Sequence, residues 1–140
     1  MKTISNLKEL LKNMKPTLAK GKFYMASVNE SELMTLAAHV DYITDIFREK
    51  EGISIVFSEE IKEEIEQLAK KKIVGPFALI TLNVYSDLMA VGFLAKITEA
   101  LAKEKISVNA FSAYHHDHLL VSYEKKDAAM EVLRKLQTKT

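Results

Sequence analysis

Residues 77–123 decide the fold: FALITLNVYSDLMAVGFLAKITEALAKEKISVNAFSAYHHDHLLVSY. The stretch begins with alternation, since Ile80, Leu82 and Val84 share one side of an extended segment. Apolar residues then recur every three or four positions with charges opposite, which predicts an amphipathic helix on the stripe Ala90, Phe93, Leu94, Ile97 and Leu101. Alternation returns from Ile106, so a second strand follows the helix.

The end of the stretch predicts a β-hairpin. His115-His116-Asp117 separates the second strand from a third alternating run, Leu119, Val121 and Tyr123. Residues 127–137 then repeat the helical period. The order β-α-β-β-α is that of a ferredoxin-like α+β fold short of one strand, with antiparallel sheet and helices packed on one side.

The first half of the chain has a similar order of elements. Ser5 is predicted to cap a helix that ends at Pro16 and packs its leucines on its own sheet rather than on a partner. Residues 22–28 read as a strand. Residues 29–50 fit either a helix or an extended path, and we predict a loop followed by a hairpin through residues 48–52 into a strand at 53–57.

A helix and a linker complete this half. Ser58 is predicted to cap the helix, and residues 72–76 form a linker broken at Gly75-Pro76. The chain therefore divides into residues 1–73 and 74–140. Each half lacks a strand, which is exchanged either between the halves or between subunits. Their open strand edges predict a homodimer or larger assembly.

The second half also resembles a known family. Ser86-Asp87, residues 92–97, Leu101-Ala102 and residues 106–109 resemble the core of an ACT domain, a small-molecule-sensing module of amino-acid metabolism. The segments TLNVYSDLMAVG, ISVNAFSAYHHDHLLV and FREKEGISIVF are similar to short, free-standing proteins with two ACT-like units. This resemblance implies a non-enzymatic regulatory protein that binds an amino acid or similar metabolite where the two units meet, with no cofactor and no catalytic residues.

The predicted ligand site is the passage from strand to helix. Backbone N–H groups at a helix start lack helical partners and suit a carboxylate, and Gly92 lets a ligand come close. Ser86 and Asp87 either contact this ligand or cap the helix. The family has a second serine where this chain has Asp87, whose charge favours a ligand ammonium. The predicted contacts are Ser86, Asp87, Leu88, Met89, Ala90, Val91, Gly92 and Asn109 (or Asn83), and, from the resemblance alone, Glu51, Gly52 and Ile53.

The cluster His115-His116-Asp117-His118 is the other candidate site. Successive strand residues point to opposite faces, so these side chains do not supply the three or four converging ligands that zinc needs. We predict a turn held by hydrogen bonds of the Asp117 side chain, and no metal. A small enzyme using these histidines is a further hypothesis, but no nucleophile or carboxylate pair stands in a recognisable setting.

Bulk properties exclude several classes of partner. The 140 residues carry a net charge of only +1, which indicates neither nucleic acid nor an anionic membrane as partner. The chain has no cysteine and no visible signal peptide or spanning segment, so we expect a cytoplasmic protein. The alternative function is a ligand-free interaction module that acts through exposed sheet edges.

Overall fold

The structure is a computed structural model that describes residues 3–140. Its elements, in chain order, are α1 (Leu7–Lys12), β1 (Pro16–Leu18), β2 (Phe23–Val28), α2 (Leu33–Ala38), β3 (Ile43–Glu49), β4 (Gly52–Ser58), α3 (Lys62–Leu68), β5 (Val74–Leu82), α4 (Phe93–Lys103), β6 (Val108–Ser112), β7 (Asp117–Ser122) and α5 (Lys126–Thr138). Contacts divide the chain into two compact units. We call residues 21–77 the inserted unit, and residues 3–20 with 78–140 the terminal unit.

The inserted unit is a complete β-α-β-β-α-β arrangement. Its strands lie in the order β3-β4-β2, and the first residues of β5 pair with β2 through Phe23 and Phe77. Both β2–β4 and β3–β4 are antiparallel. Alternate residues of β4 enter a core against α2 and α3, whose most buried members are Leu36, Ile55, Phe57 and Ile65. The chain order and the strand order are those of a ferredoxin-like fold.

The terminal unit has the same arrangement, but its fourth strand comes from the start of the chain. The strand order is β1-β5-β7-β6, and β1 pairs antiparallel with the last residues of β5, so that Thr17 lies opposite Thr81. The predicted stripe of α4 faces the core, where Phe93, Ile97 and Leu101 are buried. Residues of α1 and of the turn after it complete this core together with α5: Leu10, Leu11, Met14, Ala129, Met130 and Leu133.

These pairings show that the missing strands are exchanged between the two predicted halves, which is one of the two alternatives left open by the sequence. The strand that each predicted half lacked is present within this chain, as β1 in the terminal unit and as residues 74–77 in the inserted unit. The argument for a homodimer from incomplete halves therefore loses its basis. The compact units also differ from the predicted segments 1–73 and 74–140, because residues 3–20 pack with residues 78–140.

Several local predictions also change. Asn6, not Ser5, caps α1, because Asn6 Oδ1 accepts a hydrogen bond from the N–H of Glu9 at 3.1 Å. The loop predicted after β2 contains α2, whereas the predicted hairpin into β4 is confirmed by the pairing of Glu49 with Gly52. Ser58 likewise makes no capping hydrogen bond at the turn that precedes α3.

Gly75-Pro76 lies inside β5 rather than in a linker. A Cβ atom at residue 75 would be 2.7 Å from Tyr24 Cδ1 and 2.9 Å from the carbonyl oxygen of Phe23, so only glycine fits this close approach to β2. In the inserted unit this part of β5 is the last strand in the order, and proline is tolerated on such an edge because no neighbour needs its N–H. The glycine-proline pair therefore indicated a close edge pairing, not a break.

We expect Leu10→Ala to destabilise the terminal unit although Leu10 lies far in sequence from residues 78–140, which form most of that unit. Leu10 is fully buried among residues of that unit, so its truncation leaves a cavity and lowers the free energy of unfolding by about 2–5 kcal/mol. Lys12→Ala on the exposed face of the same helix is the matched control and should change it by less than about 0.5 kcal/mol. Urea titration of both variants measures the difference, and equal midpoints would contradict the assignment of α1 to this core.

Candidate ligand-binding segment

The predicted passage, residues 85–92, has no helix or strand of its own and is held by the residues before α1. Ser86 forms an isolated parallel bridge with Ile4. The N–H of Ile4 donates to the carbonyl oxygen of Tyr85 at 2.8 Å, and the N–H of Asp87 donates to the carbonyl oxygen of Ile4 at 2.9 Å. Residues 85–87 are thus fixed in an extended path.

Ser86 is fixed from its side chain as well. Its hydroxyl donates to Asp117 Oδ2 at 3.1 Å, and the two residues are the buried polar pair of residues 3–140, at 8% and 6% exposure. A buried carboxylate needs such a donor. Ser86 therefore positions the passage and caps no helix, and Asp117 bonds to Ser86 where the sequence had predicted hydrogen bonds within its own turn.

Asp87 caps a turn of the passage and not α4. Its Oδ1 accepts from the N–H of Met89 at 2.8 Å, and its carbonyl oxygen accepts from the N–H of Ala90 at 2.9 Å. This is the local side-chain-to-backbone hydrogen bond that aspartate makes in turns. Within residues 3–140, its second carboxylate oxygen, Oδ2, makes no hydrogen bond.

The start of α4 carries no side-chain cap. Gly92 occupies the capping position with a φ of 94°, a left-handed conformation that favours glycine. The first N–H groups of a helix have no partner inside it, and here no hydroxyl or carboxylate of the capping residue satisfies them. Three apolar side chains of the passage lie in solvent: Leu88 at 59%, Met89 at 86% and Val91 at 85% exposure.

The other predicted contacts have separate positions. Asn109 is exposed on β6 opposite Leu120, while the Asn83 amide donates to the carbonyl oxygen of Lys15 at 2.9 Å and so serves β1. Glu51, Gly52 and Ile53 lie in the β3–β4 hairpin of the inserted unit. There the carbonyl oxygen of Glu51 accepts from Lys70 Nζ at 2.6 Å, Ile53 is buried, and a Cβ at Gly52 would lie 2.6 Å from the carbonyl oxygen of Val28.

The histidines of the β6–β7 hairpin contact the end of β5. His118 Nδ1 lies 2.9 Å from Thr81 Oγ1, and His116 Nδ1 lies 3.3 Å from the carbonyl oxygen of Val84. The rings of Tyr85 and His116 are 4.8 Å apart. In the described part of the chain, no three histidine or acidic side chains are arranged to hold a metal ion. These rings attach the hairpin to the passage.

A groove of about 520 Å³ lies elsewhere in the terminal unit, between α4 and α5. Lysines and glutamates line it over an apolar floor that includes Ile106 and Val132. Glu99 pairs with Lys103, and Glu131 with Lys135, each within its own helix. The hydrogen bond from Lys103, followed by the charges of Lys103 and Lys96, holds the pKa of Glu99 below its usual value. The predicted contacts do not appear among the residues that line this groove.

The fold and the passage define a class of small α+β proteins built from two ferredoxin-like units. ACT-domain profiles match both segments of the chain, over residues 2–66 and residues 75–135. The chain therefore belongs to the ACT domain family and carries two ACT-like units in tandem, which confirms the resemblance seen in the sequence. A comparison with curated protein sequences finds no match.

Solved structures show the same fold. A Vibrio cholerae protein of unknown function, described as a possible transport protein, is 32% identical with a TM-score of 0.77, and the match covers 94% of this chain and 95% of that one. The ligand-free regulatory subunit of aspartate kinase from Thermus thermophilus is 10% identical with a TM-score of 0.69, over 89% and 98% of the chains. A structure of aspartokinase α and β subunits is 15% identical with a TM-score of 0.67, over 86% and 95%.

The last two likenesses are of fold alone. Separately, each helix within residues 3–140 is too short or too polar to cross a membrane.

We expect Ser86 and Asp117 to be energetically coupled. Ser86→Ala leaves a buried carboxylate without its donor and should lower the free energy of unfolding by about 1–3 kcal/mol. In the Asp117→Ala background the same serine substitution should cost much less, since no carboxylate remains to be satisfied. A double-mutant cycle by urea unfolding measures this coupling, and strictly additive effects would contradict the hydrogen bond.

Proposed function

We propose that this protein is a non-enzymatic regulator that binds an amino acid or a similar small metabolite at residues 86–92. The observation that carries the proposal is the uncapped start of α4, with the carboxylate of Asp87 a few residues before it. Unsatisfied helical N–H groups and the positive end of the helix dipole favour a ligand carboxylate. Membership of the ACT domain family supports a regulatory role for the site.

The remaining groups of the passage fit the rest of an amino acid. Asp87 Oδ2 is open to a ligand ammonium, while Oδ1 keeps its hydrogen bond from the N–H of Met89. The carboxylate can therefore bind the ligand and hold the turn at the same time. The exposed side chains of Leu88, Met89 and Val91 offer apolar surface to a ligand side chain. Ser86 holds the passage in place through its hydrogen bond to Asp117.

Such a protein regulates by a shift of population. A ligand changes the balance between two arrangements only to the extent that it binds one of them more tightly. No bond is made or broken in this role, which is why the proposal assigns no catalytic residue.

We expect Asp87→Asn to weaken binding of the amino acid by about 1–3 kcal/mol, because the ammonium loses a charged acceptor. An asparagine side chain keeps an oxygen for the N–H of Met89, so the turn should survive. Asp41→Asn, an exposed acid of the inserted unit, is the matched control and should leave affinity unchanged. A thermal-shift screen of the wild type first selects the amino acids that raise its melting temperature. Isothermal titration with these amino acids then compares the wild type, Asp87→Asn and Asp41→Asn. Equal affinities in the three proteins would place the site elsewhere.

A second candidate function, an interaction module, is favoured by exposed apolar side chains of the inserted unit. Six large apolar side chains between residues 33 and 47 are at least 42% exposed: Leu33, Met34, Val40, Tyr42, Ile46 and Phe47. Two of them lie on β3, which is the outer strand of this unit and leaves one edge unpaired. A sheet edge of this kind pairs readily with another chain, and we propose a second copy as the partner, giving a homodimer.

We expect Phe47→Glu to dissociate such a homodimer, since it places a charge on the most exposed large apolar side chain of β3, at 64% exposure. Tyr114→Glu, at a site 79% exposed in the terminal unit, is the control and should keep the mass of the wild type. Light scattering at micromolar to millimolar concentration reports the mass. A monomeric wild type throughout this range would exclude the homodimer.

A further inference from the structure

The residues before α1 already occupy part of the passage that the proposed function assigns to a ligand. Ile4 engages the carbonyl oxygen of Tyr85 at 2.8 Å and the N–H of Asp87 at 2.9 Å. The N–H of Asp87 takes no part in the turn from Asp87 to Ala90, so it is a donor that an incoming carboxylate could use. In this structure the carbonyl oxygen of Ile4 is its acceptor instead.

Leu7 covers the other end of the passage. A Cβ atom built at Gly92 would lie 3.4 Å from Leu7 Cδ2, which places the leucine side chain in contact with the open face of the glycine. Gly92 is the residue whose missing side chain gives access to the start of α4. Ile4 and Leu7 together therefore take the positions at which a ligand would meet the backbone.

We propose that residues 4–7 are a built-in occupant of the ligand passage, which an amino acid must displace in order to bind; the inference rests on the proposed function. Displacement is local. Ile4 precedes α1, whereas Leu10, Leu11 and Met14 anchor the helix in the core, so the bridge opens and Leu7 changes rotamer without unfolding of α1. The observed affinity for a ligand is then its intrinsic affinity reduced by the fraction of molecules with an open passage.

Displacement also gives ligand binding a consequence outside the site. The closed state rests on two backbone hydrogen bonds and on the partly buried side chains of Ile4 and Leu7, which pack against the core. A ligand therefore opens the passage only if its binding outweighs these contacts. When the ligand binds, the backbone of Ile4 and its side chain become free. The site thus converts the concentration of a metabolite into the release of a short segment.

The test compares two proline variants. Ile4→Pro removes the N–H that donates to Tyr85, whereas Ser5→Pro removes an N–H that makes no hydrogen bond within residues 3–140 and leaves Ile4 in an extended conformation. Isothermal titration with each proteinogenic L-amino acid should give about three- to tenfold tighter binding for Ile4→Pro and unchanged binding for Ser5→Pro. Hydrogen exchange at the amide of Asp87 should accelerate in Ile4→Pro alone.

The outcomes separate the two proposals. Equal or weaker affinity in Ile4→Pro, with faster exchange at Asp87, overturns the built-in occupant and leaves the ligand site intact. Absence of binding in the wild type and in both variants overturns the proposed function, and the occupant with it. If Ile4→Pro does not fold, the wild type decides: saturation with the bound amino acid should accelerate exchange at the amide of Ile4, and slower exchange there would overturn the proposal.

Discussion

The antiparallel pairing of β1 with β5 is the contact on which the terminal unit depends. Thr17 lies opposite Thr81, and the amide of Asn83 reinforces the pairing through Thr17 Oγ1 at 2.7 Å. This short strand completes the sheet of the unit and places α1 on its core. The same pairing holds the residues before α1 close to the ligand passage, so the fold of the terminal unit and the proposed site depend on the same strand.

Much of this architecture could be predicted, because it depends on the local spacing of apolar residues. The stripe of α4 and the β6–β7 hairpin follow from the spacing of apolar residues, and the strand character of β4 follows from its composition. The assignment of β1 could not be predicted in this way. Its three residues, Pro16–Leu18, are too few to show a hydrophobic period. They form a strand because they pair with β5, some sixty positions later in the chain. Tertiary pairing overrides local preference at such places.

At the candidate site, too, local features could be predicted from the sequence and tertiary contacts could not. The passage before α4 could be located from the change of period at Gly92, and the turn chemistry of Asp87 is local. The partners of the passage were missed, because Ser86 and Asp117 are separated by a helix and a strand, and no sequence pattern links them. Likewise nothing in ISNL, residues 4–7, marks it as a bridge partner of Ser86. Only the fold brings these residues together.

The place of β1 in chain order has a consequence for synthesis. Residues 3–20 are made before everything they pack against, since β5, α4 and α5 all follow residue 73. The inserted unit has all its strands once residue 77 is made and can fold while translation continues, whereas the apolar face of α1 waits, unburied, for the last third of the chain. Prior folding of the inserted unit replaces a long flexible loop by an ordered one, which lowers the entropic cost of the late closure. Residues 3–20 are therefore synthesised before the inserted unit but reach their native position after it.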